Sequence, residues 1–297
     1  MFITPITCCA SVADSGATLL IPQPAPYIKA SGTSAWFMLE DFLIFLLVGF
    51  LAQLVDGALG MAYGVIATTT LLAFGVPPAH ASAATHAAEV FTTAASGGSH
   101  IAHRNVDWRL FWRLAPAGMV GGAMGVYVLT SFDSKLMRPF IFTYLAAMGF
   151  YILWRLRRPP VEAPPLSPRV IAPLGVVGGF MDATGGGGWG PIVTTTLLGA
   201  GQKPRSSIGT VNTVEFLVTC TISASFVIAL LTGHWEDAGD LFVHAPAVAG
   251  LVGGGVLAAP LAGYAVKIVP PRVLGTIVGV LIVSLALWQL AAWARSV

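Results

Sequence analysis

The sequence predicts an all-α polytopic membrane protein, with two inverted repeats of about five helical segments each, opened by broken or re-entrant half-helix hairpins. Three observations carry that expectation. Of 297 residues, 56% are apolar and 9% charged, with a mean hydropathy of +0.80, so there is too little polar surface to coat a soluble globule. Residues 55–72, VDGALGMAYGVIATTTLL, return as residues 181–198, MDATGGGGWGPIVTTTLL. The offset of 126 then pairs Asp56 with Asp182, Gly64 with Gly190, Pro78 with Pro204 and Glu89 with Glu215, placing acids at matched points of apolar sequence.

Charged and proline-rich breaks divide the chain into apolar segments near 36–55, 57–76, 79–102, 110–130, 138–154, 170–182, 188–202, 206–232, 240–266 and 272–294. Five fall in each half. Residues 1–35 lack the basic start of a secretory signal and are read as an extension. Residues 36–154 form the first transmembrane repeat, 155–169 (RLRRPPVEAPPLSPR) a cytoplasmic linker too rich in arginine and proline to enter the membrane, and 170–297 the second repeat.

The segment from Val170 to Asp182 would reach only about 20 Å as a helix, against a hydrocarbon core of about 30 Å. It cannot cross alone. Its counterpart, Phe42 to Val55, has a similar uncharged length, so each repeat is expected to open with two half-helices. They are expected to meet at glycine-rich tips at Asp56-Gly57 and at Asp182 through Gly190, an irregular backbone tolerable only inside protein or a wet cavity. Each repeat then crosses an odd number of times, which inverts the second. Placing the N-terminus outside leaves eleven Lys and Arg residues on the cytoplasmic side and four outside, following the positive-inside rule.

Glu89 lies mid-way along its segment, where a charge must be paired, hydrated or protonated. His86 and Thr93 share its helical face, and Asn212, Glu215 and Thr219 repeat the spacing. The tips add backbone amides and helix N-termini, which attract anions, with Gly57, Gly60, Gly186, Gly187 and Gly188 permitting close approach. Thr68, Thr69, Thr194 and Thr195 offer hydroxyls, and Tyr63 and Trp189 offer walls. Each has a structural reading beside the functional one: Asp56 and Asp182 as helix caps, the threonines as partners of backbone carbonyls, the aromatics as packing, His86 as an interior hydrogen-bonded histidine and the glutamates as neutral helix contacts.

A net charge of +2 with scattered basic residues excludes nucleic acid as a partner. Cys8, Cys9 and Cys220 have neither metal-ligand nor disulfide spacing, and no metal or cofactor is assigned. No H-E-x-x-H motif or nucleophile with its base supports an enzyme. A cation or transition-metal carrier using His86, Glu89 and Asp56 is the alternative to an anion carrier.

The paired D-G-x-x-G and D-x-x-x-G-G-x-W-G tips, the threonine runs and the A-x-x-T-H-x-x-E helix together resemble the TauE/SafE family, also called the toluene-sulfonate uptake permeases. The likeness spans Leu39 to Leu290. It implies a multi-pass permease of the bacterial inner membrane for a small sulfur-containing anion, sulfite or an organosulfonate, with the tips and the Glu89 and Glu215 faces on the substrate path. Two glutamates beside an anion imply neutralisation, hence proton coupling.

Overall fold

The computed structural model describes residues 35–157, 166–239, 241–268 and 271–295, and these are helical with no strand among them. Of the extension 1–35, residues 1–34 lie outside the described residues, as do residues 158–165 of the linker 155–169. The helices are α1 (Ala35–Leu59), α2 (Tyr63–Ala73), α3 (Pro78–Ala102), α4 (Trp108–Ser131) and α5 (Ser134–Leu156), then α6 (Pro168–Gly185), α7 (Thr195–Gly199), α8 (Pro204–Leu231), α9 (Ala245–Ile268) and α10 (Pro271–Ala294). Among the described residues, four stretches are long and apolar enough to cross a bilayer: α4, α5, α8 and Gly275–Ala294 of α10.

The start signals are local. Proline at the first position of α3, α6, α8 and α10 has no N–H to leave unbonded and a φ already suited to a helix. Asp107 caps α4 through the amides of Arg109 (2.9 Å) and Leu110 (3.3 Å), and Asp133 caps α5 through Lys135 (2.6 Å).

Burial within lipid gives helices little hydrophobic reason to associate, so close packing at small residues has to hold them. It does so in four pairs. In α4 against α6, a Cβ on Gly125 would stand 2.7 Å from the Phe180 carbonyl and one on Gly175 3.1 Å from that of Leu114. In α1 against α9, one on Gly254 would run into Leu46 and one on Gly250 into Phe42. In α5 against α10, Gly149 and Gly279 face each other. At the centre α3 runs against α8 in the opposite direction: Thr93 Oγ1 meets Thr219 Oγ1 at 3.4 Å, Asn105 packs on Gly209, and His80 Nε2 lies 2.7 Å from the Ala238 carbonyl. Large apolar side chains such as Phe140, Phe150, Trp154 and Ile277 face outward, as a lipid-facing surface requires.

Two ends follow. The start of α3, the end of α4 and the end of α8 gather at one, where Ser131 Oγ meets His234 Nε2 at 2.9 Å near Asp133 and Glu236. The other gathers His103, Arg104, Lys203 and Arg205, with Arg205 Nε donating to Asn105 Oδ1 at 2.5 Å. We refer to these as the acidic and the basic end. Phe74, just past α2, packs on Phe45 of α1 with ring centres 5.4 Å apart, so α1 and α2 fold back on each other.

The helix ends correct the expected tips. α1 continues past Asp56 and Gly57 to Leu59, and α6 continues past Asp182 to Gly185, making it 18 residues rather than 13. The tips are therefore residues 60–62 and 186–189. Gly57 sits exposed in the last turn of α1, away from its tip. The reason is that each aspartate reaches forward across the tip instead of ending the helix it stands in. After the second tip, Gly190–Thr194 widens into a π-helical turn before α7. Thr195 Oγ1 bonds the Pro191 carbonyl there, and such turns concentrate at functional sites.

Candidate functional site

The site is the meeting of the two tips. Asp182 Oδ1 accepts the amides of Gly188 (2.8 Å) and Trp189 (3.0 Å), and Asp56 Oδ1 accepts that of Tyr63 (3.3 Å). Both carboxylates thus cap the helix that follows the tip, holding the chain reversal closed. The tip glycines adopt backbone open to little else: Gly60 has φ 67° and Gly186 φ 65°. A Cβ on Gly187 would collide with the backbone of Gly64 and Val65, so the tips touch main chain to main chain.

Two reciprocal hydrogen bonds join them. Thr68 Oγ1 donates to the Gly186 carbonyl at 2.6 Å, and Thr194 Oγ1 donates to the Gly60 carbonyl at 3.1 Å. These are images of each other under the offset of 126, which carries Thr68 to Thr194 and Gly60 to Gly186. Thr93 and Thr219, related in the same way, meet across the centre. The tips lie at mid-length of α3, because a Cβ on Gly64 would stand 2.7 Å from Glu89 Oε1.

The buried acids gather around this point. Glu89 is 2% exposed, Asp182 1%, Asp56 7% and Glu215 8%, a depth at which carboxyls need a counter-charge, water or a proton. Among the described residues, ion pairs within 4.0 Å are those of His86: its Nε2 lies 3.3 Å from Asp182 Oδ2 and 3.8 Å from Glu89 Oε2. The mixed cluster foreseen from His86, Glu89 and Asp56 is therefore built with Asp182 in place of Asp56. The structure does not repeat it in the other half. Asn212, at the position matching His86, turns its Nδ2 to Ser96 Oγ (3.2 Å) and His100 Nε2 (3.5 Å), leaving its buried Oδ1 without a partner.

The remaining residues divide by their partners. Tyr63 donates its hydroxyl to the Leu251 carbonyl (2.9 Å), and Trp189 donates Nε1 to that of Val211 (3.2 Å) while its ring fills the space left by Gly118 and Gly178. Both aromatics anchor their half-helices in the bundle. Thr195 bonds Tyr151, whereas Thr69 Oγ1 is buried and unpartnered beside Gln289, whose Nε2 reaches the Thr69 carbonyl at 3.4 Å.

Three participants were not anticipated from sequence. Ser82 donates to the Ala183 carbonyl (2.6 Å) and its own carbonyl stands 2.8 Å from His86 Nδ1; its spacing of four before His86 was the available signal. Tyr144, whose buried hydroxyl is unpartnered, packs on Gly185 and Gly188, and Gln289 packs at Thr69. Neither stands in the duplicated stretch, so no pattern marked them.

The profile of the family described as "Sulfite exporter TauE/SafE" matches residues 45–294, which takes in both tips and the helices around them. The chain belongs to this family. It is also 43% identical over 247 residues to a protein of Bacillus subtilis (strain 168) named "Probable membrane transporter protein YtnM", covering 81% of this chain and 80% of that one. No solved structure matches it. As a TauE/SafE protein the chain is a multi-pass membrane protein of transporter type, and the tips are where its irregular backbone and buried charge coincide.

Proposed function

We propose that this TauE/SafE protein is a permease of the bacterial inner membrane that moves a sulfur-containing anion, sulfite or an organosulfonate, by alternating access between two inverted repeats. One observation carries the reading: two glycine tips from different halves of the chain touch at mid-length of the central helices and are tied by the reciprocal bonds of Thr68 and Thr194. The inversion is supported by direction. α1 runs alongside α9 and α6 alongside α4, while α9 starts at the acidic end and α4 at the basic end. The hairpins then dip in from opposite ends, and the basic end faces the cytoplasm by the positive-inside rule.

A vestibule of about 1060 Å³ opens at the acidic end between α4, α8 and the start of α5, lined in part by Tyr127, Thr130, Ser225 and His234. A smaller hollow of about 430 Å³ at the basic end is lined by Arg104, Lys203 and Arg205. The touching tips separate the two ends, so translocation requires the repeats to rock and the tip contact to part. Substrate contacts in this reading come from Gly60, Gly186, Gly187 and Gly188, from the buried Thr69 hydroxyl and the Asn212 amide N–H groups as donors, and from the glutamate faces. Glu215, which no histidine faces, carries a coupling proton. No chemical conversion is assigned.

The test is uptake into proteoliposomes of radiolabelled sulfite, taurine, sulfoacetate and an aromatic sulfonate at two pH values. Saturable, protein-dependent uptake of one or more supports the reading. Uptake of none, at either pH and in either gradient direction, overturns it.

A further inference from the structure

We propose that His86 Nε2, Asp182 Oδ2 and Glu89 Oε2 form a binding site for a single divalent transition-metal cation. The three atoms lie within 4.8 Å of one another, on residues 0%, 1% and 2% exposed.

Hydrogen bonding fixes which atoms are free. The Ser82 carbonyl, 2.8 Å from His86 Nδ1, can only accept, so Nδ1 carries a proton, and Nε2 is the nitrogen whose lone pair a cation would take up. Asp182 commits Oδ1 to the amides of Gly188 and Trp189, leaving Oδ2 for the cluster. Glu89 Oε2 is buried with no hydrogen-bond partner. Three electron-pair donors therefore converge, two of them oriented by second contacts in the manner of metal ligands.

Spacing separates a metal from a shared proton. A charge-assisted N–H···O bond closes to about 2.7–2.9 Å, whereas the distances here are 3.3 and 3.8 Å. Two ligands of one ion, each about 2.0–2.2 Å from it, stand roughly 3.0–3.5 Å apart, so the first distance fits a shared ion and the second needs a small side-chain adjustment. Imidazole with carboxylates suits Zn²⁺, Mn²⁺, Fe²⁺ or Co²⁺ rather than an alkali ion. Two carboxylates balance a dication, and the other half cannot copy the site because Asn212 replaces the histidine.

The consequence rests on the anion reading above. Among the described residues no Lys or Arg pairs with these acids, so a bound cation supplies the positive charge an anion needs at the tips. Three protein ligands leave a tetrahedral shell one short, and a substrate oxygen would complete it.

The test uses full-length protein in nanodiscs, stripped with EDTA and titrated near neutral pH with Zn²⁺ by calorimetry and with Co²⁺ by visible absorption. Expected are one equivalent of Zn²⁺ and ligand-field bands with Co²⁺, both lost or weakened about tenfold or more in His86→Asn and in Glu89→Gln, and unchanged in Cys220→Ser. Mg²⁺ and Na⁺ should not compete. If one of the two ligand variants does not fold, the other decides. Absence of a stoichiometric site, or binding that the ligand variants leave intact, overturns the proposal. Binding that persists in a protein moving no sulfur anion would sink the anion reading and leave the metal site standing.

Discussion

The two tips descend from one sequence, yet the second is tied far more firmly than the first. Asp182 holds the amides of Gly188 and Trp189 at 2.8 and 3.0 Å where Asp56 faces the matching amides of Ala62 and Tyr63, the latter at 3.3 Å, and His86 reaches Asp182 while its counterpart Asn212 turns its amide to Ser96. A Cβ on Gly187 would meet main chain, whereas one on Gly60 would meet only the Ile208 side chain. Duplicated sequence therefore does not give duplicated surroundings: the second tip has the histidine and the shorter amide contacts, and the first has neither.

The largest test of that contrast is Gly187→Ala against Gly60→Ala. At Gly187 the new methyl has backbone in its way and φ is 155°, so expression of folded protein should collapse. At Gly60 a left-handed residue costs about 1–2 kcal/mol and the Ile208 side chain can give way, so a folded protein with a lowered Tm is expected. Equal losses for the two variants, read by thermal unfolding in detergent, would break the comparison.

Motion is the next point of attack. With Cys8, Cys9 and Cys220 replaced by serine, Thr93→Cys and Thr219→Cys should form a disulfide where the two hydroxyls now stand 3.4 Å apart. If the repeats rock across that contact, transport should stop on oxidation and return on reduction. Unimpaired transport by the oxidised protein would show that α3 and α8 move as one.

The pH dependence is a finer test. If a proton on Glu215 travels with the anion, uptake should rise as the pH on the loading side falls and decline as it rises, and Glu215→Gln should flatten that profile. A profile unaltered by Glu215→Gln would remove the proton from this residue.

The smallest effect expected is in Thr68→Val against Thr194→Val. Each loses a hydroxyl and strands a carbonyl of the opposite tip, about 1–3 kcal/mol. Thr68 should cost more, because it also meets Thr85 Oγ1 at 2.8 Å and its own bond is the shorter. The ordering of the two Tm values checks it.

Much of this architecture was legible in the chain. Prolines 78, 204 and 271 stand within one or two residues of segment starts read from apolar length, and the offset pairs the threonines and glycines that the structure joins. The first tip was placed a few residues early and the second drawn too wide, because an aspartate before glycines reads as the end of a helix, while here its side chain spans six or seven residues to cap the next one. The choice of Asp182 for His86 could not be read, since they are 96 residues apart and either aspartate satisfies the spacing. Tyr144 and Gln289 were invisible for a simpler reason: one polar atom in an apolar helix carries no period.

The reciprocal threonine bonds bear on ancestry. Because each half donates to the carbonyl of the other, the two ties exchange under a two-fold axis, and two identical first halves facing each other isologously would make both through Thr68 and Gly60. Asn212, at the place where the offset puts the counterpart of His86, is where the present halves depart from that symmetry.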